Sequence, residues 1–363
     1  MLISQKSKEI MDSCRFCWMC RHICPIGNAT GQERNTARAR MLALSVVERG
    51  AEPLSSVKDN IFECSLCEAC TKECVTGWDP VKTIKEVKLE LAMNNETPDY
   101  IMDMVENIEK TGNVFGATEI CDKLSEAIKK HTKKTDTLLF LGKTATYKAC
   151  KSAKTAIELL EKAGIEFTVL ENEPSSGYDM EFLVGAADET KKMMENCAKV
   201  FNEYKTVVAY DPADSKIILR EYKEWGIDVK AEVKTFTKYI LDLINSGALK
   251  VKNNGKKYTP QDSHWLARSL EESDTIREIL SKCGTVSEML LNRKDTMLAG
   301  NIIMNEYMPK VMSRVARDRW INAKNMNTEI LVTESVDEYI LLGQEKADDI
   351  ELMSIEEVVI SCL

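Results

Sequence analysis

Eight of the thirteen cysteines stand in two copies of one pattern, fifty residues apart. The first copy is Cys14, Cys17, Cys20 and Cys24, followed by Pro25; the second is Cys64, Cys67, Cys70 and Cys74. Both read C-x2-C-x2-C-x3-C. Thiolates bind soft metals strongly, so a fold that satisfies this pattern must bring several of them to a common centre. Spaced at i, i+3 and i+6, three thiolates can reach three corners of one metal–sulfur cube. The fourth corner needs a thiolate from elsewhere in the chain.

The spacing argues against zinc, which closes a single tetrahedron with four ligands, normally drawn from two separated pairs. Disulfides are disfavoured as well. Residues 1–12 are polar and carry no apolar stretch of the export-signal kind, so the expected compartment is reducing and cytoplasmic. The two runs resemble those of two-cluster ferredoxins, in which the fourth cysteine of each run ligates the other cluster. That resemblance implies two [4Fe–4S] clusters. Cluster I falls to Cys14, Cys17, Cys20 and Cys74, and cluster II to Cys64, Cys67, Cys70 and Cys24.

The remaining chemistry is sparse. A formal net charge of −9 excludes the basic face that a nucleic-acid partner needs. No apolar run approaches the roughly 18 residues of a membrane span, so direct membrane insertion is not expected and membrane attachment would run through a partner. There is no Gly-x-Gly-x-x-Gly opening a helix, no Walker loop and no His-Glu-x-x-His.

The expected fold is multidomain, α and α/β. Residues 1–95 read as an all-helical two-cluster ferredoxin domain, with helices over 32–49, stopped by Gly50, and over 80–93. Residues 96–136 read as a helical connector. Thr97 before Pro98 is its expected N-cap, Ile101, Met104, Val105 and Ile108 form one apolar face, and Gly112 ends its helix. From 137 onward strands and helices alternate: strands over 138–141, 166–170 and 207–210, and helices over 144–164, 191–204 and 216–225. That order implies a parallel sheet. A weaker repeat follows, with helices near 269–282, 302–323 and 354–361 and a strand over 329–333. Two similar α/β halves, 137–250 and 251–363, are the expected result.

The cluster runs, the 36–40 segment and the Gly112–Asn113–Val114–Phe115–Gly116 stretch resemble the iron–sulfur subunit of glycolate oxidase. That subunit belongs with the iron–sulfur subunit of anaerobic glycerol-3-phosphate dehydrogenase and with the heterodisulfide reductase group. The family's C-terminal repeats carry Cys-Cys-Gly motifs that hold further metal. Here those positions resemble the motifs in outline only. Asn172, Glu173 and Pro174 stand for the first Cys-Cys-Gly, and Asp211, Pro212, Ala213 and Asp214 for the Cys-Pro-x-Cys after it. Gln261 to Arg268 match a His-Asp-Pro-Cys-His segment. Leu298, Ala299 and Gly300 stand for the second Cys-Cys-Gly, and Glu334 to Asp337 for the last motif. Cys121, Cys150, Cys197, Cys283 and Cys362 are scattered along the sequence and read as small buried apolar residues, so no third cluster is expected. Asp211, Asp214 and His264 could in principle bind a metal, but Asp-x-x-Asp after a strand is more often turn and helix-cap chemistry, and His264 reads as a hydrogen-bonded structural histidine.

The expected function is therefore electron transfer by an iron–sulfur subunit with no catalytic residues of its own. The resemblance implies an FAD-containing dehydrogenase partner of the 2-hydroxy acid type, with further redox subunits compatible. Two alternatives stay open: a reductase acting on a quinone or disulfide, and a cluster-binding scaffold or sensor. Local charge also suggests an order of potentials. Arg15, Arg21 and His22 flank the first run, whereas Glu63, Glu68 and Glu73, partly offset by Lys72, flank the second. Positive charge raises a cluster's potential, so cluster I is expected to be the higher.

Overall fold

The computed structural model describes residues 3–15, 17–347 and 349–363; Met1 and Leu2 of the polar 1–12 stretch, Phe16 and Asp348 lie outside them. Up to residue 129 the described chain is helical. Helix Ala37–Glu48 is preceded by a 3-10 turn, Glu33–Asn35, and capped by the Thr36 side chain. Helix Pro80–Met93 starts where Pro80 stands at its first position, with the Asp79 carboxylate accepting from the backbone N–H of Lys82. The connector helix, Asp99–Thr111, buries Ile101, Met104, Val105 and Ile108 and ends at Gly112 in the left-handed region. Its N-cap is Pro98, not Thr97, whose buried hydroxyl has no hydrogen-bond partner.

Two all-parallel sheets follow. The first runs β1 (Thr137–Phe140), β2 (Thr206–Ala209), β3 (Glu232–Thr235), in that spatial order. The second runs β5 (Thr285–Val286), β4 (Lys257–Gln261), β6 (Ile330–Thr333), β7 (Glu351–Ser354). The expected strand at 166–170 reduces to one parallel bridge between Thr168 and Leu138. With that bridge placed beside β1, the first sheet has the strand order of the second, so the two α/β halves are similar in topology as well as in sequence outline.

Both sheets are covered on both faces, as parallel sheets require. Leu138 and Phe140 of β1 face one core, and Leu139 faces the other. Val207 and Val208 of β2 divide in the same way, as do Leu331 and Val332 of β6. One of these cores continues into the N-terminal helices through Ile84, Val87, Phe62 and Phe182. Helix Pro80–Met93 packs on helix Tyr178–Val184, and helix Pro25–Thr30 packs on helix Pro309–Asn325. The cysteine-bearing region is thus seated against both α/β halves.

Several elements differ from expectation. The helix expected over 144–164 is two, Lys143–Lys148 and Cys150–Lys162, broken at Ala149. The helix over 302–323 breaks before Pro309, which cannot donate to the preceding turn. The helix expected over 216–225 starts earlier and is irregular: Pro212–Lys216 widens into a π turn, Ile217–Glu221, and closes as Tyr222–Glu224. A second π turn, Trp265–Ser269, follows β4.

Candidate functional site

The two cysteine runs adopt the same local structure. Trp18 and Glu68, fifty residues apart, both take left-handed backbone, with φ of 71° and 59°. Each opens a five-residue helix, Met19–Ile23 or Ala69–Glu73. Each helix is closed by the last cysteine of its run in extended backbone: Cys24 at φ −74°, ψ 113° and Cys74 at φ −76°, ψ 116°. The left-handed residue turns the chain between the second and third cysteines, so that all three face inward. The extended fourth cysteine carries its thiol away from its own run. The two short helices pack against each other, which brings each fourth cysteine to the neighbouring run.

Two cavities result. The first, of about 160 Å³, is lined by Cys14, Cys17, Cys20 and Cys74, together with Trp18, Met19, Arg38, Val75 and Trp78. The second, smaller, is lined by Cys24, Cys64, Cys67 and Cys70, with Ile26, Ala37, Arg40, Glu68 and Ile84. The fourth cysteine of each run therefore lies in the other run's cavity. No three His, Cys, Asp or Glu side chains among the described residues converge closely enough for a single metal ion. That spacing does not fit a zinc site. A cube with iron at separate corners is wider than one ion, and four thiols lining a cavity suit it.

The thiols carry the electrostatic mark of crowding. Burial, and then the neighbouring thiolates Cys64, Cys67 and Cys24, push Cys70 well above the usual thiol range. Burial pushes Cys24 up to about 11, against the pull of the Arg40 guanidinium. Cys20 rises for the same reason, with Cys14 and Cys17 adding to it. Iron must displace these protons, so cluster binding at neutral pH releases them. Cys24 also accepts a weak hydrogen bond from the Gly27 N–H at 3.4 Å, and Cys74 lies 3.1 Å from the Thr76 hydroxyl.

The cavities differ in exposure. Cys17 is exposed, Trp18 is 51% and Val75 83% exposed, and Met19 also reaches solvent, so the first cavity opens on an apolar patch. The second has no exposed cysteine, and the α/β halves contact its Cys67–Glu68 loop. Arg268, on the π turn after β4, donates to the Cys67 carbonyl at 2.8 Å. Arg220, on the other π turn, pairs with Glu68. Each π turn thus delivers one arginine to the Cys67–Glu68 loop, in keeping with the frequent presence of π turns at functional sites.

The charges flanking the runs do not act as their sequence positions suggest. Glu63 is tied to Arg34 at 2.8 Å and to Asn35. Glu68 is tied to Arg220. Arg15 is exposed, and Arg21, also exposed, pairs with Glu33 at 2.7 Å. His22 is exposed and lines a separate cavity with Pro25, Asn28 and Arg319. Of the charges flanking the second run, Glu63 and Glu68 are thus neutralised by paired arginines, whereas Lys72 pairs with Glu271.

The degenerate motif positions are rebuilt around carboxylates. Glu173 accepts the N–H groups of Leu141 and Gly142, each at 2.7 Å, at the start of helix Lys143–Lys148. Asp211 caps helix Pro212–Lys216, as expected, and Asp214 accepts from Ser176. Asp337 and Glu338 accept the N–H groups of Ile302 and Ala299. Asp211, Asp214 and His264 do not form a metal site. His264 departs from expectation in another way: it is buried with neither ring nitrogen hydrogen-bonded, 3.9 Å from a Glu338 oxygen, and burial and then Arg268 hold it well below the usual histidine range. Of the five remaining cysteines, Cys197, Cys283 and Cys362 are buried, Cys150 is partly buried and Cys121 is exposed. They are not all solitary: the Cys362 thiol reaches the Cys283 carbonyl at 3.8 Å, and Cys121 lies beside Cys150.

Comparison with known proteins agrees with this geometry. Residues 10–78 match a 4Fe-4S dicluster domain. The chain is 21% identical over 314 residues to a probable membrane-anchored ferredoxin of Chromohalobacter salexigens. The match covers 75% of this chain and 47% of the relative, so the chain spans about half the length of the curated relative it matches. No helix among the described residues is long and apolar enough to cross a membrane. Residues 10–78 thus form an iron–sulfur domain of the [4Fe–4S] dicluster kind.

Proposed function

We propose that the chain is the electron-transfer subunit of an oxidoreductase complex and holds two [4Fe–4S] clusters, one on Cys14, Cys17, Cys20 and Cys74 and the other on Cys64, Cys67, Cys70 and Cys24. The observation that carries this reading is the sorting of eight thiols into two adjoining cavities, four in each, with the last cysteine of each run exchanged. Clusters of this kind supply one-electron exchange.

The protein residues set where that exchange occurs. Cys17, Trp18, Met19 and Val75 form an accessible apolar mouth on which a redox partner can seat. The second cavity has no exposed cysteine, and its Cys67 is buried. Electrons therefore enter or leave at the first site, and the second is the inner station. The partner we propose is an FAD-containing dehydrogenase of the 2-hydroxy acid type. A flavin takes two electrons as hydride and must release them singly, which suits one-electron carriers. The resemblance to the glycolate oxidase iron–sulfur subunit supports that choice.

Anaerobic purification tests both parts. By the two-cubane rule the protein should carry about eight iron and eight sulfide per chain. Reproducible binding of about twelve iron would defeat the two-cluster reading. A polypeptide that co-purifies should contain flavin; a stable complex whose other subunits hold none would defeat the proposed partner.

A further inference from the structure

Three fully buried cations surround the second cavity, and none has a carboxylate partner among the described residues. Arg40, from helix Ala37–Glu48, lines the cavity directly and donates to the carbonyls of Asn60, at 2.8 Å, and Asn35. Its second terminal nitrogen has no hydrogen-bond partner at all. Lys88, from helix Pro80–Met93, is 0% exposed. It donates to the Phe182 carbonyl at 2.7 Å, and its ammonium lies over the Phe62 and Phe182 rings at 5.2 and 4.6 Å. Arg268 donates to three carbonyls, those of Lys294, Thr296 and Cys67.

The other charges nearby cancel one for one. Glu68, Glu181 and Glu221 stand against Arg220, Lys85 and Lys216 in a single connected network. Glu63 is matched by Arg34. Arg40, Lys88 and Arg268 are the remainder. Buried charge is normally paired or bound to a metal centre, because an isolated ion in a low-dielectric interior is heavily penalised. The first cavity carries a smaller surplus: Arg15 and Arg21 are exposed, and Arg38, which lines the cavity with its side chain 11% exposed, shares Glu33 with Arg21.

Resting on the assignment of Cys24, Cys64, Cys67 and Cys70 to a cluster, we propose that Arg40, Lys88 and Arg268 are the counter-ions of that cluster and make it the higher-potential site of the two. Four thiolates outweigh the positive charge of an iron–sulfur cube, so the site is net negative. Reduction adds one more unit of negative charge. Three buried cations, poorly screened by water, favour the reduced form more than Arg38, held by Glu33, and the exposed Arg15 and Arg21 of the first site do. The inner site then acts as the electron sink, and the exposed site as the relay to it.

The test uses the full chain with its clusters, purified anaerobically. Iron and sulfide are counted, and both midpoints are followed by redox titration with electron paramagnetic resonance. The signal lost in Cys67→Ala identifies the second cluster. It should have the higher midpoint in the unaltered protein. In Lys88→Met and Arg40→Gln its reduction equilibrium should fall at least tenfold, ~59 mV for one electron, with the first cluster unmoved. Arg40→Lys should stay near the original value. Selective loss of the second cluster in the neutral variants but not in Arg40→Lys supports the same role. The proposal is overturned if the first cluster has the higher midpoint, if neutral variants keep both clusters with the second midpoint unmoved, or if Arg40→Lys behaves like Arg40→Gln. A protein with no cluster on these four cysteines would instead overturn the ligand assignment, and iron counting separates that result from the others.

Discussion

Removing the Arg220 guanidinium should expose how strongly the α/β region grips the loop of the second cavity. Glu68 lies between Cys67 and the helix Ala69–Glu73, and its side chain is only 10% exposed. Burial by itself pushes its carboxyl up. The hydrogen bonds and charge of Arg220, with Lys216 and Lys85 behind it, overcome burial and hold it at about 2, against an ordinary 4.5. That difference corresponds to about 3 kcal/mol at about 1.36 kcal/mol per unit. A folded value below the unfolded one means that the contribution is complete above the unfolded value near 4.5 and is lost as pH falls from there towards 2. It is therefore constant between pH 6 and 8. Arg220→Met leaves a buried carboxylate unpaired, which costs about 3–5 kcal/mol. Adding Glu68→Gln removes the stranded charge and should restore much of the loss. The assay is urea unfolding of the cluster-loaded protein, anaerobic, at pH 6, 7 and 8, for the two single variants and the double variant. A coupling energy of about 3 kcal/mol, flat across this range, is expected. A value below about 1 kcal/mol, the size of an exposed ion pair, would refute the reasoning.

Two further outcomes follow from the α/β halves. Glu173 is held up at about 7 by burial, against the pull of Lys143 and two backbone N–H groups; a folded value above the unfolded one means that its contribution is lost as pH rises from about 4.5 through 7, so Glu173→Gln should gain in thermal midpoint relative to the parent between pH 6 and 8, and a pH-independent difference would contradict this. A Cβ added at Gly300 would lie 2.7 Å from the Leu341 Cβ and closer still to its Cδ1, so Gly300→Ala should cost about 1–3 kcal/mol by overpacking, measurable by urea unfolding with both clusters retained.

The cysteine site was legible because its ligands are local in sequence. Six of the eight lie at i, i+3 and i+6 within their own runs, and the exchange of the fourth cysteine is a property of the ferredoxin pattern. Helices with a capping residue and a clear apolar face, such as Pro80–Met93 and Asp99–Thr111, were legible too. The strands that escaped notice lack the usual signals. β3 reads Glu-Val-Lys-Thr at a sheet edge, with little to distinguish it from a loop. β4 carries Pro260 in a strand with neighbours on both sides, where proline argues against a strand. The structure accommodates it because pairing with β5 ends at Tyr258, before a proline N–H would be needed. The surroundings of the second cavity were not legible for a different reason. Arg268 touches Cys67 across 201 residues, and Lys88 reaches Phe182 across 94. Sequence neighbours gave an incomplete electrostatic picture because ion pairs such as Glu68 with Arg220, 152 residues apart, join charges that flank the runs to distant partners. The orphaned ring of His264 had no sequence signal at all.

The account stands most directly on the exchange of the fourth cysteines. Three variants, Cys17→Ala, Cys67→Ala and Cys74→Ala, can be compared by iron content and electron paramagnetic resonance of the dithionite-reduced protein. Cys17→Ala removes or disrupts the first cluster, and Cys67→Ala the second. If Cys74 completes the first site, as its place in the first cavity implies, the spectrum of Cys74→Ala will match that of Cys17→Ala, with the second cluster intact. A Cys74→Ala spectrum that matches Cys67→Ala would mean that each run closes its own cluster, and would contradict the account.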